Sequence, residues 1–397
     1  GQRVRKAWRR GAQVAALNPV DWDCHFFKAH KIINAPQHMV AELAAIAVAM
    51  AKLTGKALPD SLQAVCENAA SGDLHEQIAS MLNDNDNGML ILGQSAMAHG
   101  NAGWLRQLAA WICEATGSSL NTIPHGANTT GAALAGALPG HGCGGAEVEQ
   151  GLNARSMLEA SLKGYLLWDV EPGFDMANPA LAKSALSTAQ SVVAVTSFAG
   201  DDLKEVAEVI LPLAPLAESG GTYYALDGQS FTAGQAVKPA GQSRPGWKIL
   251  RRLGADLELD GFSQVDVQSL REEMLAAMAS ADFGSSEAEL ATPASEDGLY
   301  RVGEVPMYSV DALCRRSEHL QQTVHADNDF VGLNPDDAGR IGLVEGSGAR
   351  VSLGDESVVL PVRICTELPA GAVWVKSAVK VSSELGDSFG PISVEAS

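Results

Sequence analysis

The feature that most limits how this chain can fold is the alternation between residues 191 and 254. A β-branched apolar run at residues 192–195 leads into an acidic turn and a short helical stretch at 202–207. A second apolar run follows at 209–213, with Pro212 near its end, and then a loop opened by the pair Gly220-Gly221. Strand, helix, strand and loop is the repeating unit of an open α/β sheet, and such sheets place ligands at the carboxyl ends of their strands.

The same texture extends to both sides. Residues 5–10 read as a basic helix end capped by Gly11, followed by a strand at 12–17 that Asn18-Pro19 terminates. A short strand signal at Ile32 precedes an alanine-rich helix from about Met39 to Leu53, and residues 58–80 read as further helix with a loop. The polar turn 83–88 leads to a buried strand, 89–92, then a glycine-bearing loop from Gly93 to Gly100 and a helix at 104–116. A loop of that kind suits a phosphate, because free N–H groups and the helix dipole point at it. Another short strand is expected at 120–123, a helix at 154–162, a strand at 164–168 and a helix at 179–190, so that 163–213 forms one continuous stretch of parallel sheet. Residues 223–237 alternate like a hairpin, and a helix at 247–253 follows. Residues 282–299 are rich in Ser, Glu, Ala and Pro and read as a linker. Beyond it the runs 305–310, 348–353, 357–365 and 371–376 are short and separated by turn residues, which predicts a small β-barrel over 300–397. The predicted organisation is an α/β region at 1–281, the linker, and the barrel.

Composition closes off other classes. The chain has 397 residues, enough for two or three domains, and a net charge of −19 from 28 basic and 47 acidic residues. That balance argues against a nucleic-acid surface, which needs clustered Lys and Arg. The longest uncharged apolar run, 43–51, is far short of the roughly 20 residues of a membrane helix. The basic opening leads into no apolar core of a signal peptide, and the chain starts inside a helix, so an upstream part is expected to be missing. Cysteines at 24, 66, 113, 143, 314 and 365 are never closer than thirty positions, unlike the paired spacing of iron–sulfur or structural zinc sites. Reduced and mostly buried thiols are expected. His141 and Cys143 share a flexible loop but lack a third ligand nearby.

Several motifs resemble those of the molybdopterin oxidoreductases. Ala207-Glu208-Val209-Ile210-Leu211-Pro212 is similar to that family's Ala-Asp-Val-Val-Leu-Pro, and Glu218-Ser-Gly-Gly221-Thr222 to its Glu-x-x-Gly-Thr. Gly126-Ala-Asn128-Thr-Thr-Gly131-Ala132 resembles an Asn-x-x-Gly-Ala turn, Arg244-Pro245-Gly-Trp247-Lys-Ile249-Leu250 a helix opening, and Asn334-Pro335-Asp336-Asp337-Ala338 the family's final, dinucleotide-binding barrel. The resemblance implies a fold of parallel-sheet domains, Rossmann-like and of the formate-dehydrogenase type, followed by that barrel. It also marks vestigial pocket candidates: Gly93, His99, Gly100, Asn128, Gly131, Glu171, Gly221, Thr222 and Gln229. At four places the family's binding group is replaced. Its Asp-Pro-Arg is Asn18-Pro19-Val20 here, its Gly-Thr-Asp helix entry is Pro36-Gln37-His38, a strand closing on Gly-x-Asn-Pro carries Glu171, and an arginine in Asn-x-Glu-Gly-Arg is Gln229. His99 is expected to be structural.

One branch resembles the chain most, the large peripheral-arm subunits of respiratory complex I. Arg315-Arg316-Ser-Glu-His-Leu320-Gln321-Gln322-Thr323 is similar to that branch's Arg-Arg-x-x-x-Leu-Gln-x-Thr. This resemblance implies a scaffold with no catalytic residue, metal ligand or cofactor of its own. Iron–sulfur clusters are expected in the absent N-terminal part. The implied partners are other peripheral-arm subunits of complex I, at the cytoplasmic face of a bacterial inner membrane and without insertion into it. The main alternative is a fragment of a working molybdopterin-dependent oxidoreductase. A plain dinucleotide-binding domain would need a Gly-x-Gly-x-x-Gly after a first strand, which is lacking. A structural adaptor outside respiration would share the fold but not the 315–323 motif.

Overall fold

The computed structural model describes residues 1–85, 87–279, 290, 293 and 297–397; the expected linker lies largely outside them. The chain divides into two compact units, Gly1–Ile123 with Ala288–Ser397, and Pro124–Glu287.

In the first unit β1 (Ala15–Asn18) pairs in parallel with β2 (His30–Ile33), and β3 (Met89–Leu92) with β4 (Ser119–Thr122). The central element is the helix Met39–Thr54. It is apolar nearly all round, as a helix enclosed by others must be, with Ala44, Ala47 and Met50 fully buried. Its alanines let the helices Asp73–Asn83 and Ala102–Thr116 pack closely, so that Ile78, Leu108 and Ile112 complete one core. Pro36 starts the preceding turn, where a missing N–H costs nothing, and Gly55 ends the helix at φ 69°.

The second unit is built on β5 (Gly164–Trp168), β6 (Ser191–Thr196) and β7 (Val209–Pro212), all parallel, with β6 in the middle. The stretch that limits the fold thus lies at its centre: Val192, Ala194 and Val195 are almost wholly buried. The crossover helix Pro179–Thr188 is set by Asn178, whose side chain accepts from the Leu181 N–H at 2.9 Å, and by Pro179 in its first turn. A hairpin follows, β8 (Gly221–Tyr224) with β9 (Ser230–Ala233). Gly220 is required before it, because its φ is +67° and a Cβ there would stand 2.6 Å from the Ala233 carbonyl oxygen. The helices Gly246–Asp256 and Val267–Met278 complete the unit.

The C-terminal sheet belongs to the first unit and has seven strands: β10 (Tyr300–Val302), β11 (Val331–Leu333), β12 (Gly348–Leu353), β13 (Glu356–Ile364), β14 (Ala372–Trp374), β15 (Phe389–Pro391) and β16 (Ser393–Ala396). Their order is β15-β10-β14-β11-β13-β12-β16. The two outermost strands are consecutive in the chain with only Ile392 between them, so the sheet must curl until its ends meet. β12 alternates exposed and buried residues, and Val351, Val331, Leu333 and Val373 fill the interior. The protein is therefore α/β with parallel sheets and a curled C-terminal sheet. One expected strand is corrected. Residues 305–310 hold the 3₁₀ turn Met307–Ser309, because Pro306 cannot donate to a ladder and instead heads a turn closed by Ser309 N–H to its carbonyl. No helix among the described residues is long and apolar enough to cross a membrane.

Candidate functional site

In the first unit, β1 ends at Asn18 and the chain turns through Pro19 into Val20, which has no exposed surface. Val20 packs with Ala35, Val302, Phe330, Leu368 and Trp374 in one apolar cluster that joins the β1 loop to the C-terminal sheet. The Asp21 N–H donates to the Glu367 carbonyl at 2.9 Å, and Trp22 meets Trp374 edge-on at 5.3 Å between ring centroids. The Lys376 ammonium lies 3.5 Å from the Trp374 ring centroid and pairs with Glu304. Burial pushes the Glu304 carboxyl up and the Lys376 ammonium down, in each case against the pull of the other charge. Lys28 and Lys31 are both engaged by Asp21, at 3.0 and 2.5 Å, and their hydrogen bonds, led by that of Lys31, hold its carboxyl below the ordinary value.

The glycine-bearing loop adjoins this region through His99. Gly93 heads the short helix Gln94–Met97 in an extended conformation, and Gly100 is exposed. His99 is 5% exposed. Its Nε2 is 2.9 Å from the Pro36 carbonyl and its Nδ1 accepts from the Asn101 N–H at 2.9 Å, so the ring is neutral with its proton on Nε2. Burial lowers its pKa, opposed by the Pro36 carbonyl. The ring stacks near Tyr300 and Phe389 of the C-terminal sheet. Pro36 is buried at the helix entry, Gln37 Nε2 donates to the Gly298 carbonyl at 3.2 Å, and His38 is exposed.

In the second unit Asn128, Gly131, Gly221 and Thr222 come together. Asn128 donates from Nδ2 to the Thr222 carbonyl at 3.1 Å and accepts at Oδ1 from the Tyr224 N–H at 2.9 Å. Gly131 makes room for it, since a Cβ there would stand 2.2 Å from Asn128 Oδ1. Arg271, on the helix Val267–Met278, donates from Nε to Thr222 Oγ1 at 3.0 Å. Glu171 lies elsewhere, just past the carboxyl end of β5, 4% exposed, its N–H donating to Asp175 Oδ2 at 2.7 Å. Gln229 is exposed at the hairpin tip, its N–H donating to Asp227 Oδ1 at 3.1 Å.

Three features escaped the sequence. Arg271 sits on an amphipathic helix like any surface arginine, and nothing in the sequence joins Glu304 to Lys376. Arg301 did leave a signal, a cation inside an apolar run. It is 1% exposed and donates to the carbonyls of Val375, Lys376, Gly386 and Asp387, and burial brings its pKa down to about 10. Burial also drives the Cys66 and Cys365 thiols up to about 11, so neither is a nucleophile at neutral pH. Among the described residues no three His, Cys, Asp or Glu side chains are placed to hold a metal ion.

Residues 1–256, more than half of the chain, match the molybdopterin oxidoreductase family. The chain belongs to the molybdopterin oxidoreductase family. Acetylene hydratase from Pelobacter acetylenicus shares its fold, with a TM-score of 0.70 and 13% identity, over 100% of this chain and 75% of that one. The G subunit of NADH-quinone oxidoreductase from Mycobacterium bovis is 27% identical over 301 residues, 67% of this chain and 36% of that protein. Its counterpart in Streptomyces coelicolor is 26% identical over 293 residues, 66% of this chain and 34% of that protein. The alpha subunit of NADPH-Fe(3+) oxidoreductase from Geobacter sulfurreducens is 23% identical over 260 residues, 60% of this chain and 30% of that protein. The chain thus matches only 30% to 36% of these curated relatives' length.

The family cofactor carries pyrophosphates, which need clustered N–H donors and arginines. Val20 offers a dry apolar contact, Glu171 a buried carboxyl group, and Gln229 an exposed amide at a hairpin tip. These residues do not fit that group at the positions they occupy.

Proposed function

We propose that this chain is part of the G subunit of a proton-pumping NADH:quinone oxidoreductase and serves there as scaffold. Electron transfer then belongs to iron–sulfur clusters in a part of the polypeptide outside this chain. Its partners are neighbouring peripheral-arm subunits, which hold it at the cytoplasmic face of a bacterial inner membrane without insertion. The observation that carries the reading is Val20, fully buried among apolar side chains where the family's loop continues into arginine. The NADH-quinone oxidoreductase relatives, at 26% and 27% identity, support the placement.

A second reading, a piece of a working molybdenum enzyme, is favoured by Arg271, a cation set against Thr222 in the glycine loop. Expressing the chain with a supply of pterin guanine cofactor and measuring bound molybdenum separates the two. The scaffold reading expects no stoichiometric metal, and one molybdenum per chain overturns it. Affinity capture from a native membrane extract is expected to return other complex I subunits, and their absence counts against the assignment to that complex.

A further inference from the structure

We propose that the loop after β1 and the C-terminal sheet have closed on each other with the chain's own side chains. The place where the family loop helps to hold a nucleotide is then filled by protein. The inference rests on the scaffold reading for the origin of the loop, and its test is separate.

Four observations within the first unit converge on Trp374. Trp22, two residues past the lost arginine position, meets it edge-on at 5.3 Å with rings inclined 77°. Phe330 meets it at 6.1 Å and 84°. Lys376 lies over it and stands 5.5 Å from the Trp22 ring as well, so one ammonium serves two rings. Val20 and Ala35, from the loop and the helix entry, have no exposed surface and lie in the same cluster. T-shaped contacts of this kind fix relative ring positions, and the wall they present is aromatic, with the neutral Nε1–H of Trp374 and the Lys376 ammonium over that ring as its polar groups. The cations beside the loop are already engaged, Lys376 by Glu304 and Lys28 and Lys31 by Asp21. Restoring an arginine at position 20 would therefore place a guanidinium in a buried volume already filled by apolar side chains rather than rebuild an anion grip.

The test uses the whole chain, with guanosine diphosphate as the probe. Val20→Arg is expected to melt earlier than Val20→Ala and to give no binding heat with guanosine diphosphate up to about 1 mM. A Val20→Arg chain that melts at or above wild type, or that binds the nucleotide with an affinity falling as salt rises, overturns the inference. Hydrogen exchange of wild type covers the case in which Val20→Arg fails to fold. The Asp21 amide, bonded to the Glu367 carbonyl, is expected to be strongly protected. Exchange at the rate of an unstructured amide would mean the loop is not closed on the sheet. Either reversal is distinguishable from failure of the scaffold reading, which the molybdenum measurement tests by itself and which the NADH-quinone oxidoreductase relatives also support.

Discussion

His99 has both ring nitrogens engaged, one by the Pro36 carbonyl and one by the Asn101 N–H, and only the neutral ring satisfies both. Its pKa lies below the ordinary 6.5 in the folded chain. A histidine depressed on folding contributes stability in full above its unfolded value, and that contribution is lost as pH falls through the folded one. The melting temperature, followed between about pH 8 and about pH 5, is expected to fall on the acid side. His99→Gln, whose amide can donate to Pro36 and accept from Asn101, should flatten that fall. The Lys376–Glu304 pair is a different case, because its side chains are only 8% and 15% exposed. Lys376→Met leaves a buried carboxylate and is expected to cost about 3–5 kcal/mol in urea unfolding at neutral pH. Adding Glu304→Gln should recover most of that loss. A single variant as stable as wild type would remove the pair from the fold's supports. At this scale the sequence was legible where chemistry is local: Pro36 marks its helix entry, and the helix read from residue 179 begins at Pro179. It was silent where partners are 72 positions apart, as Glu304 and Lys376 are.

Among elements, the clamp of Asn128 on β8 is the contact most open to test. The sequence marks Asn128 and Gly131 as parts of a turn, but not that the asparagine is used up on the Thr222 carbonyl and the Tyr224 N–H. Asn128→Ala should cost about 1–3 kcal/mol, because two backbone groups lose their partner. Gly131→Ala should mimic it through the 2.2 Å clash with Asn128 Oδ1, and both should speed hydrogen exchange at the Tyr224 amide. Exchange unchanged in both variants would show that the hairpin holds itself. Strands β3, β5 and β12 match their expected bounds because continuous or alternating apolar runs carry their own period. β10, β11, β15 and β16 have three or four residues each, interrupted by Arg301, Gly332, Gly390 and Glu395, so no unbroken apolar run shows and only their ladder partners define them.

For the molecule as a whole, a net charge of −19 means that folding gathers like charges. Raising ionic strength from about 0.01 M to about 0.15 M is expected to raise the melting temperature, since the Debye length contracts from about 30 Å to about 8 Å. A fall would show that attractive pairs outweigh repulsion. The family was legible because its motifs sit in glycine and proline turns that short strings record. The filling around Trp374 was not, since it depends on loops and strands brought together only by the fold. The curled sheet has a consequence of its own. With Ile392 the sole joint between its first and last staves, β16 acts as a latch on a hoop. Trimming residues 393–397 would lay bare the rail of β12, where Ala349 and Val351 are now dry, and offer it to the next molecule. Residues 393–396 therefore close an edge that an unpaired β12 would present to any strand of another chain.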